Sequence, residues 1–217
     1  MVGKIAHIHG ESPGGPRYNP DLCAAERNAP ENLIFLCPVH HDIVDTQVSD
    51  YPAARLRQMK EDHEAAVARQ MGVAIADVSF SELEVVCRHV MNGSVIDDDV
   101  SFAVIDLNAK MAINGLTRRT AALLTIGLAG SRIVADYVAR MDGIDPGFAE
   151  RLRAGFVREY KACVANGLRG DVLFTVLWDF ASQGSEDFQR QAAGLAALTY
   201  FFEACDIFER AATGSVV

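Results

Sequence analysis

His41 and Asp45 lie four residues apart in the run Leu36-Cys37-Pro38-Val39-His40-His41-Asp42-Ile43-Val44-Asp45. On a helix that spacing puts both side chains on one face, close enough to share a cation. An imidazole nitrogen beside a carboxylate oxygen suits Mg2+, Mn2+ or Zn2+, and the adjacent His40 is a third candidate ligand. His7 sits in the apolar run Lys4-Ile5-Ala6-His7-Ile8. If a strand delivers it to that cation, its imidazole could deprotonate a water near neutral pH. The cation would stabilise the charge that develops on a phosphodiester and its leaving oxygen. Arg17, after Gly14-Gly15-Pro16, is placed either to grip a phosphate or to make a salt bridge within its loop. These are the parts needed to hydrolyse a phosphodiester bond. Singly, each has a plainer reading: His7 as a core histidine, His41 with Asp45 as an intrahelical ion pair, and His9 as a loop residue. Cys37 reads as structural, because no acid–base pair points to thiol chemistry.

The elements that must position these residues are legible in outline. Residues 4–8 read as a short strand. A loop follows, rich in turn formers from Gly10 to Pro20. Asn32-Leu33-Ile34-Phe35-Leu36-Cys37 reads as a second strand, and Pro38 fits the first turn of a helix through Asp45. A last amphipathic helix after Tyr51-Pro52 carries Leu56, Met59, His63 and Val67 on one stripe and is expected to end at Gly72. Six of the seven prolines and five of the six histidines precede residue 64, whereas the chain beyond about residue 80 is rich in Ala, Leu and Phe at helical spacing. The expected division is therefore 1–72 and 73–217, in an α+β chain. Helices are expected over 80–91, 118–141, a span opened by Asp145-Pro146 and running to 165, 170–182 and 185–205.

Composition limits the partners. The 217 residues are 50% hydrophobic and 23% charged, ordinary for a globular protein. No window reaches the roughly 20 apolar residues of a membrane span, and Met1-Val2-Gly3-Lys4 lacks the apolar core of a signal peptide. Five cysteines without a pairing rhythm suit free thiols in a reducing cytoplasm, with Cys23, Cys87, Cys163 and Cys205 as small hydrophobes. Net charge is −9, with seven Lys/Arg against eleven Asp/Glu in residues 1–79. Contact with nucleic acid must then come from a local patch, a metal ion or an added partner.

Ala6-His7-Ile8, Gly15-Pro16-Arg17-Tyr18, Asn32-Leu33-Ile34, Leu36-Cys37-Pro38-Val39-His40-His41, Tyr51-Pro52 and Glu61-Asp62-His63-Glu64 resemble the HNH endonucleases, and within them the effectors of bacterial anti-phage systems. The resemblance covers residues 3–66. It implies a small ββα-metal finger, with His7 matching the general base and Asn32 the residue that orients that base through the backbone. His41 and Asp45 match metal ligands, and His40 stands where many relatives carry a structural-zinc cysteine. Two features depart from the pattern. Ala6 occupies a position where relatives often place a metal-binding Asp, Glu or His, which favours hydrated Mg2+ over tightly held Zn2+. No cysteine pair precedes the first strand to partner Cys37. The departures motivate an alternative, a catalytically inactive HNH-fold scaffold or nucleic-acid-sensing module.

The helical half offers no catalytic cluster: His89 is isolated, and Asp97-Asp98-Asp99 reads as a solvated turn. Its stripe Val172, Leu173, Val176, Leu177, Phe180, Leu195, Leu198, Phe201, Phe202 and Phe208 reads as core, while Trp178, Tyr200, Phe201, Phe202, Ile207 and Phe208 form a dense terminus, part of which could dock a partner. Val104-Ile105-Asp106-Leu107, Lys110 to Leu116, Gly170-Asp171-Val172-Leu173-Phe174 and Tyr200 to Glu209 are similar to a C-terminal domain of effectors in ABC-three-component systems. That resemblance, over most of 80–210, implies a middle-component protein and an ABC-type ATPase as partners. The joint expectation is a metal-dependent endonuclease in a bacterial defence complex, acting on nucleic acid, DNA ahead of RNA. A homodimer would let two sites cut both strands.

Overall fold

In the computed structural model, the described residues are 3–92, 107–204 and 208. Asp97-Asp98-Asp99, residues 104–106, Cys205, Asp206, Ile207 and Glu209 lie outside them. Most of the described chain is helical, with one two-stranded sheet. Its contacts divide it into Met1–Val67 and Ala68–Val217, five residues before the division expected from composition.

In the first unit, β1 (Lys4–His7) pairs antiparallel with β2 (Leu33–Leu36), so that Ile5 faces Phe35 and His7 faces Leu33 across the ladder. Side chains alternate between faces. Ala6, Ile8 and Ile34 turn inward, while Ile5 and Phe35 stand exposed on the other face. Between the strands come α1 (Ala24–Arg27) and a 3-10 turn, Pro30–Asn32. After β2, Pro38 opens α2 (Pro38–Thr46). Pro52 precedes α3 (Ala53–Ala76). The unit's core is Ala6, Ile8, Ile34, Val44 and Leu56, with Leu36, Tyr51, Ala53 and Met59 packed on it. At about 1.5–3 kcal/mol for each large apolar side chain fully buried, five residues make a thin core. Polar staples must carry more of the fold than usual.

The stripe expected on α3 is only half present. Leu56 and Met59 reach the first core, whereas His63 and Val67 are exposed. The helix also continues past Gly72. Glycine in a helix interior costs about 1 kcal/mol relative to Ala, and burial of Met71, Ala74 and Ile75 in the second core offsets that.

The second unit contains the last turns of α3 and α4 (Phe80–Met91), α5 (Leu107–Ile113), α6 (Arg118–Leu128), α7 (Ser131–Ile144), α8 (Phe148–Ala165), α9 (Gly170–Ser182) and α10 (Phe188–Ala204). Every residue of α10 from Ala192 to Thr199 is buried, and so are Phe201 and Phe202. A helix apolar on all sides must be surrounded, and α4, α6, α7 and α9 pack around it. The span expected as one helix over 118–141 is two, α6 and α7, bent by 56°. Gly130 marks the break, and a Cβ there would stand 3.0 Å from that of Ala196 in α10. No single described helix is long and apolar enough to cross a membrane; α6 and α7 pass that test only as a bent pair.

Two expected helix starts move inward. Asp145-Pro146 does not open a helix: Asp145 closes α7, and Asp142 accepts from the Ala149 N–H in the first turn of α8. Ser185 precedes rather than opens α10, and Asp187 Oδ1 accepts from the Gln189 N–H at 2.9 Å. The phenylalanines of the aromatic terminus lie in the core, as their stripe suggests. Phe201, Phe202 and Phe208 are buried, Phe202 and Phe208 stack edge-on at 4.8 Å, and Trp178 donates its indole N–H to the Gln191 carbonyl.

Candidate functional site

His7, at the end of β1, and His41 and Asp45, one turn apart on α2, line one pocket of about 280 Å3. The opposite wall is the loop that supplies Gly10, Glu11, Ser12, Gly15 and Pro16. The loop is closed by the Gly10 N–H donating to the Pro16 carbonyl at 2.9 Å, and a Cβ on Gly10 would stand 2.6 Å from that oxygen. The close approach explains glycine at this position.

On α2, His41 Nδ1 lies 3.7 Å from Asp45 Oδ2 and equally far from Asp42 Oδ1. The sequence spacing thus brings His41 and Asp45 together. His40 is not with them. Its Nδ1 lies 3.0 Å from the Cys37 sulfur on the preceding turn, because adjacent helix residues project about 100° apart. Cys37 is the N-cap of α2, and the His40 backbone N–H, then the His40 ring, hold its thiol below the ordinary thiol range.

Arg17 serves the fold in place of the phosphate grip. Its side chain is 3% exposed and its backbone is left-handed, at φ 55°. Nε donates to the Ile8 carbonyl at 2.9 Å, one terminal nitrogen to Val44 and Tyr51, and the other to the His7 carbonyl and to Asp45 Oδ1 at 2.6 Å. A charge taken out of water needs such partners, and the fork of the guanidinium supplies them in several directions at once. One side chain therefore ties β1 to α2.

Asn32 is buried, and its amide spans two segments. Oδ1 accepts from the His9 N–H at 2.9 Å, and Nδ2 donates to the carbonyls of His9 and Arg27, both at 2.8 Å. Its own carbonyl accepts from the Ile8 N–H at 2.8 Å. The residue thus fixes the backbone directly after His7. The His9 ring is engaged in the fold, with Nδ1 2.9 Å from the Arg17 carbonyl and Nε2 2.5 Å from the Arg57 guanidinium. Asn28 was not singled out from the sequence; its Oδ1 lies 3.3 Å from His7 Nε2. The available signal was an asparagine closing α1 one helical turn before Asn32.

The donors that face the pocket from α2 are one imidazole and one carboxylate, whose Oδ1 already holds Arg17. Such a pair fits a cation that keeps most of its water, as Mg2+ does and Mn2+ can. It does not form the three- or four-ligand cage of a tightly held Zn2+. Among the described residues, no three His, Cys, Asp or Glu side chains are grouped to hold an ion. Ala6, which precedes His7 on β1, is buried in the core and offers no ligand atom.

In the helical unit, Asp171 ties the start of α9 to the N-terminus of α6. Asp171 accepts from the Thr117 N–H and from the hydroxyls of Thr117 and Thr120, and these bonds outweigh burial to hold its carboxyl below the usual range. Compared with protein-family models, with curated proteins and with solved structures, the chain matches none of them.

Proposed function

We propose that the first unit is a metal-dependent HNH-type endonuclease that hydrolyses nucleic-acid phosphodiester bonds, and that the helical unit docks it onto partner proteins of a bacterial defence complex of the ABC-three-component kind. One observation carries the hydrolytic reading: His7 from the strand and His41 with Asp45 from the helix line the same pocket. In that reading His7 takes a proton from water, the water oxygen bonds to phosphorus, and the bond to the leaving sugar oxygen breaks, that oxygen then being protonated from solvent. A divalent cation held by His41 and Asp45 would supply Lewis-acid stabilisation of the phosphate charge. Arg17 and Asn32 hold the strand end, the loop and α2 in register around the pocket. For docking, the support is an apolar groove of about 590 Å3 in the helical unit, edged by the exposed Val73 and Phe188.

The test is nicking of plasmid DNA by the purified chain, with and without co-purifying partners, in Mg2+ or Mn2+. Wild type should nick, and His7→Ala should lose about 100-fold or more, the usual contribution of a positioned base. Cleavage that survives His7→Ala defeats the mechanism. The inactive-scaffold reading is favoured by one feature, the buried Ala6 at a ligand position. Metal-dependent nicking that disappears in a folded His41→Ala protein excludes it.

A further inference from the structure

We infer that Asn28 is a positioning residue that fixes the tautomer of His7, leaving Nδ1 as the basic nitrogen of the ring; its bearing on catalysis rests on the hydrolytic reading above. Among the described residues, the hydrogen-bond partner of the His7 ring is Asn28, whose Oδ1 lies 3.3 Å from Nε2. Which end of the Asn28 amide faces the ring is decided by its other contact. Nδ2 donates to the Ala24 carbonyl at 3.1 Å, so the atom presented to His7 is the oxygen. A carbonyl oxygen only accepts. His7 Nε2 must therefore carry the proton, and the lone pair of the neutral ring lies on Nδ1.

The support behind Asn28 is built rather than incidental. Asn28 closes α1, with its backbone N–H on the Ala24 carbonyl. The other end of that helix is held by the Glu26 carboxylate accepting from the Cys23 N–H at 2.7 Å. The neighbouring Arg27 lies over the Tyr18 ring at 4.9 Å. Asn32 Nδ2 bonds both the Arg27 carbonyl and the His9 carbonyl at 2.8 Å. One buried amide therefore holds, on one side, the residue next to Asn28 and, on the other, His9, two residues after His7. The base and the group that orients it are tied to a common anchor. The charged and titratable groups around His7 are Glu11 from the loop, His41 and Asp45 from α2, and the Arg17 guanidinium, which donates to the His7 carbonyl at 3.3 Å. None of these is hydrogen-bonded to the ring.

The experiment is imidazole 15N NMR on the full chain, with plasmid nicking measured on the same samples. In wild type above the titration of the ring, His7 should be the Nε2–H tautomer. His9 serves as an internal contrast: its Nδ1 faces a carbonyl and its Nε2 a guanidinium, so it should show the opposite tautomer. Asn28→Ala should return His7 to a mixture and lower kcat about tenfold with KM little changed. An amide spectrum checks that the variant is folded. An Nδ1–H tautomer at His7 in wild type overturns the inference, as does a tautomer that Asn28→Ala leaves unchanged. If the tautomers follow this pattern but wild type does not nick DNA, the hydrolytic reading falls and the Asn28–His7 contact stands.

Discussion

Arg17 concentrates more of the first unit's organisation than any apolar residue in it. Its guanidinium reaches the carbonyls of His7, Ile8, Val44 and Tyr51 and the carboxylate of Asp45, across a core of only five buried residues. Arg17→Ala would leave those oxygens facing a void, at a cost of about 3–5 kcal/mol by analogy with other broken buried pairs. Arg17→Lys keeps the charge but not the fork, so it should recover only part of this. Urea unfolding followed through β1 and α2 amide signals checks both. An alanine variant within 1 kcal/mol of wild type would show that the clamp is dispensable. Cys37 offers a second residue-scale test. Its thiol is held below the ordinary range by the His40 backbone N–H and ring, whereas burial pushes Cys87 up to about 12. A depressed thiol is thiolate at lower pH, so iodoacetamide should modify Cys37 with a pH midpoint below that of a free thiol. His40→Ala should move that midpoint upward, and Cys87 should stay unmodified in the folded protein, as read by mass spectrometry.

At the scale of elements, two glycines in helix interiors should respond to alanine in opposite ways. A Cβ on Gly155 in α8 would stand 2.1 Å from the Val90 carbonyl of α4, a backbone atom that cannot swing aside. Gly155→Ala must part the two helices, and about 3 kcal/mol of destabilisation is expected, at the upper end for overpacking. Gly72 in α3 has open space around its Cβ position. Gly72→Ala should stabilise by about 0.5–1 kcal/mol through helix propensity and a restricted unfolded chain. Thermal denaturation of the two variants decides it, and matching signs would refute the packing argument. The same contrast explains what the sequence disclosed. Short-range signals were readable: the strand at Lys4, Pro38 at the start of α2, the i,i+4 pair of His41 and Asp45, and the spans of α4 and α9. Features set by distant neighbours were not. The break at Gly130 lies against Ala196, the persistence of α3 past Gly72 answers to burial of Met71 and Ile75, and the burial of Arg17 depends on carbonyls from three other segments. The rotation of His40 toward Cys37 follows from helix geometry that the motif alone left open.

At the scale of the whole molecule, charge governs how nucleic acid could approach. The chain carries −9, and the cations of the first unit are largely engaged. Lys4 pairs with Asp42 and Arg17 with Asp45, while Arg27, Arg55 and Lys60 donate to backbone carbonyls and Arg57 meets His9. Each phosphate neutralised by Lys or Arg adds about −0.9 to the slope of log K against log salt on duplex DNA. The isolated chain should therefore bind duplex DNA weakly, with a slope no steeper than about −2. Fluorescence anisotropy with the His7→Ala protein between 50 and 200 mM KCl measures this without cleavage. A slope of −6 or steeper from the chain alone would reveal a basic footprint and remove the need for help. Self-association cannot supply that help, since a second copy brings another −9 into the same field. If the protein acts on nucleic acid as proposed, the missing positive charge would come from a local patch outside the first unit, from a metal ion or from a basic partner. If a partner supplies it, the assembled complex should bind more tightly and show a steeper slope than the free chain, with the increment counting the phosphates that the partner neutralises.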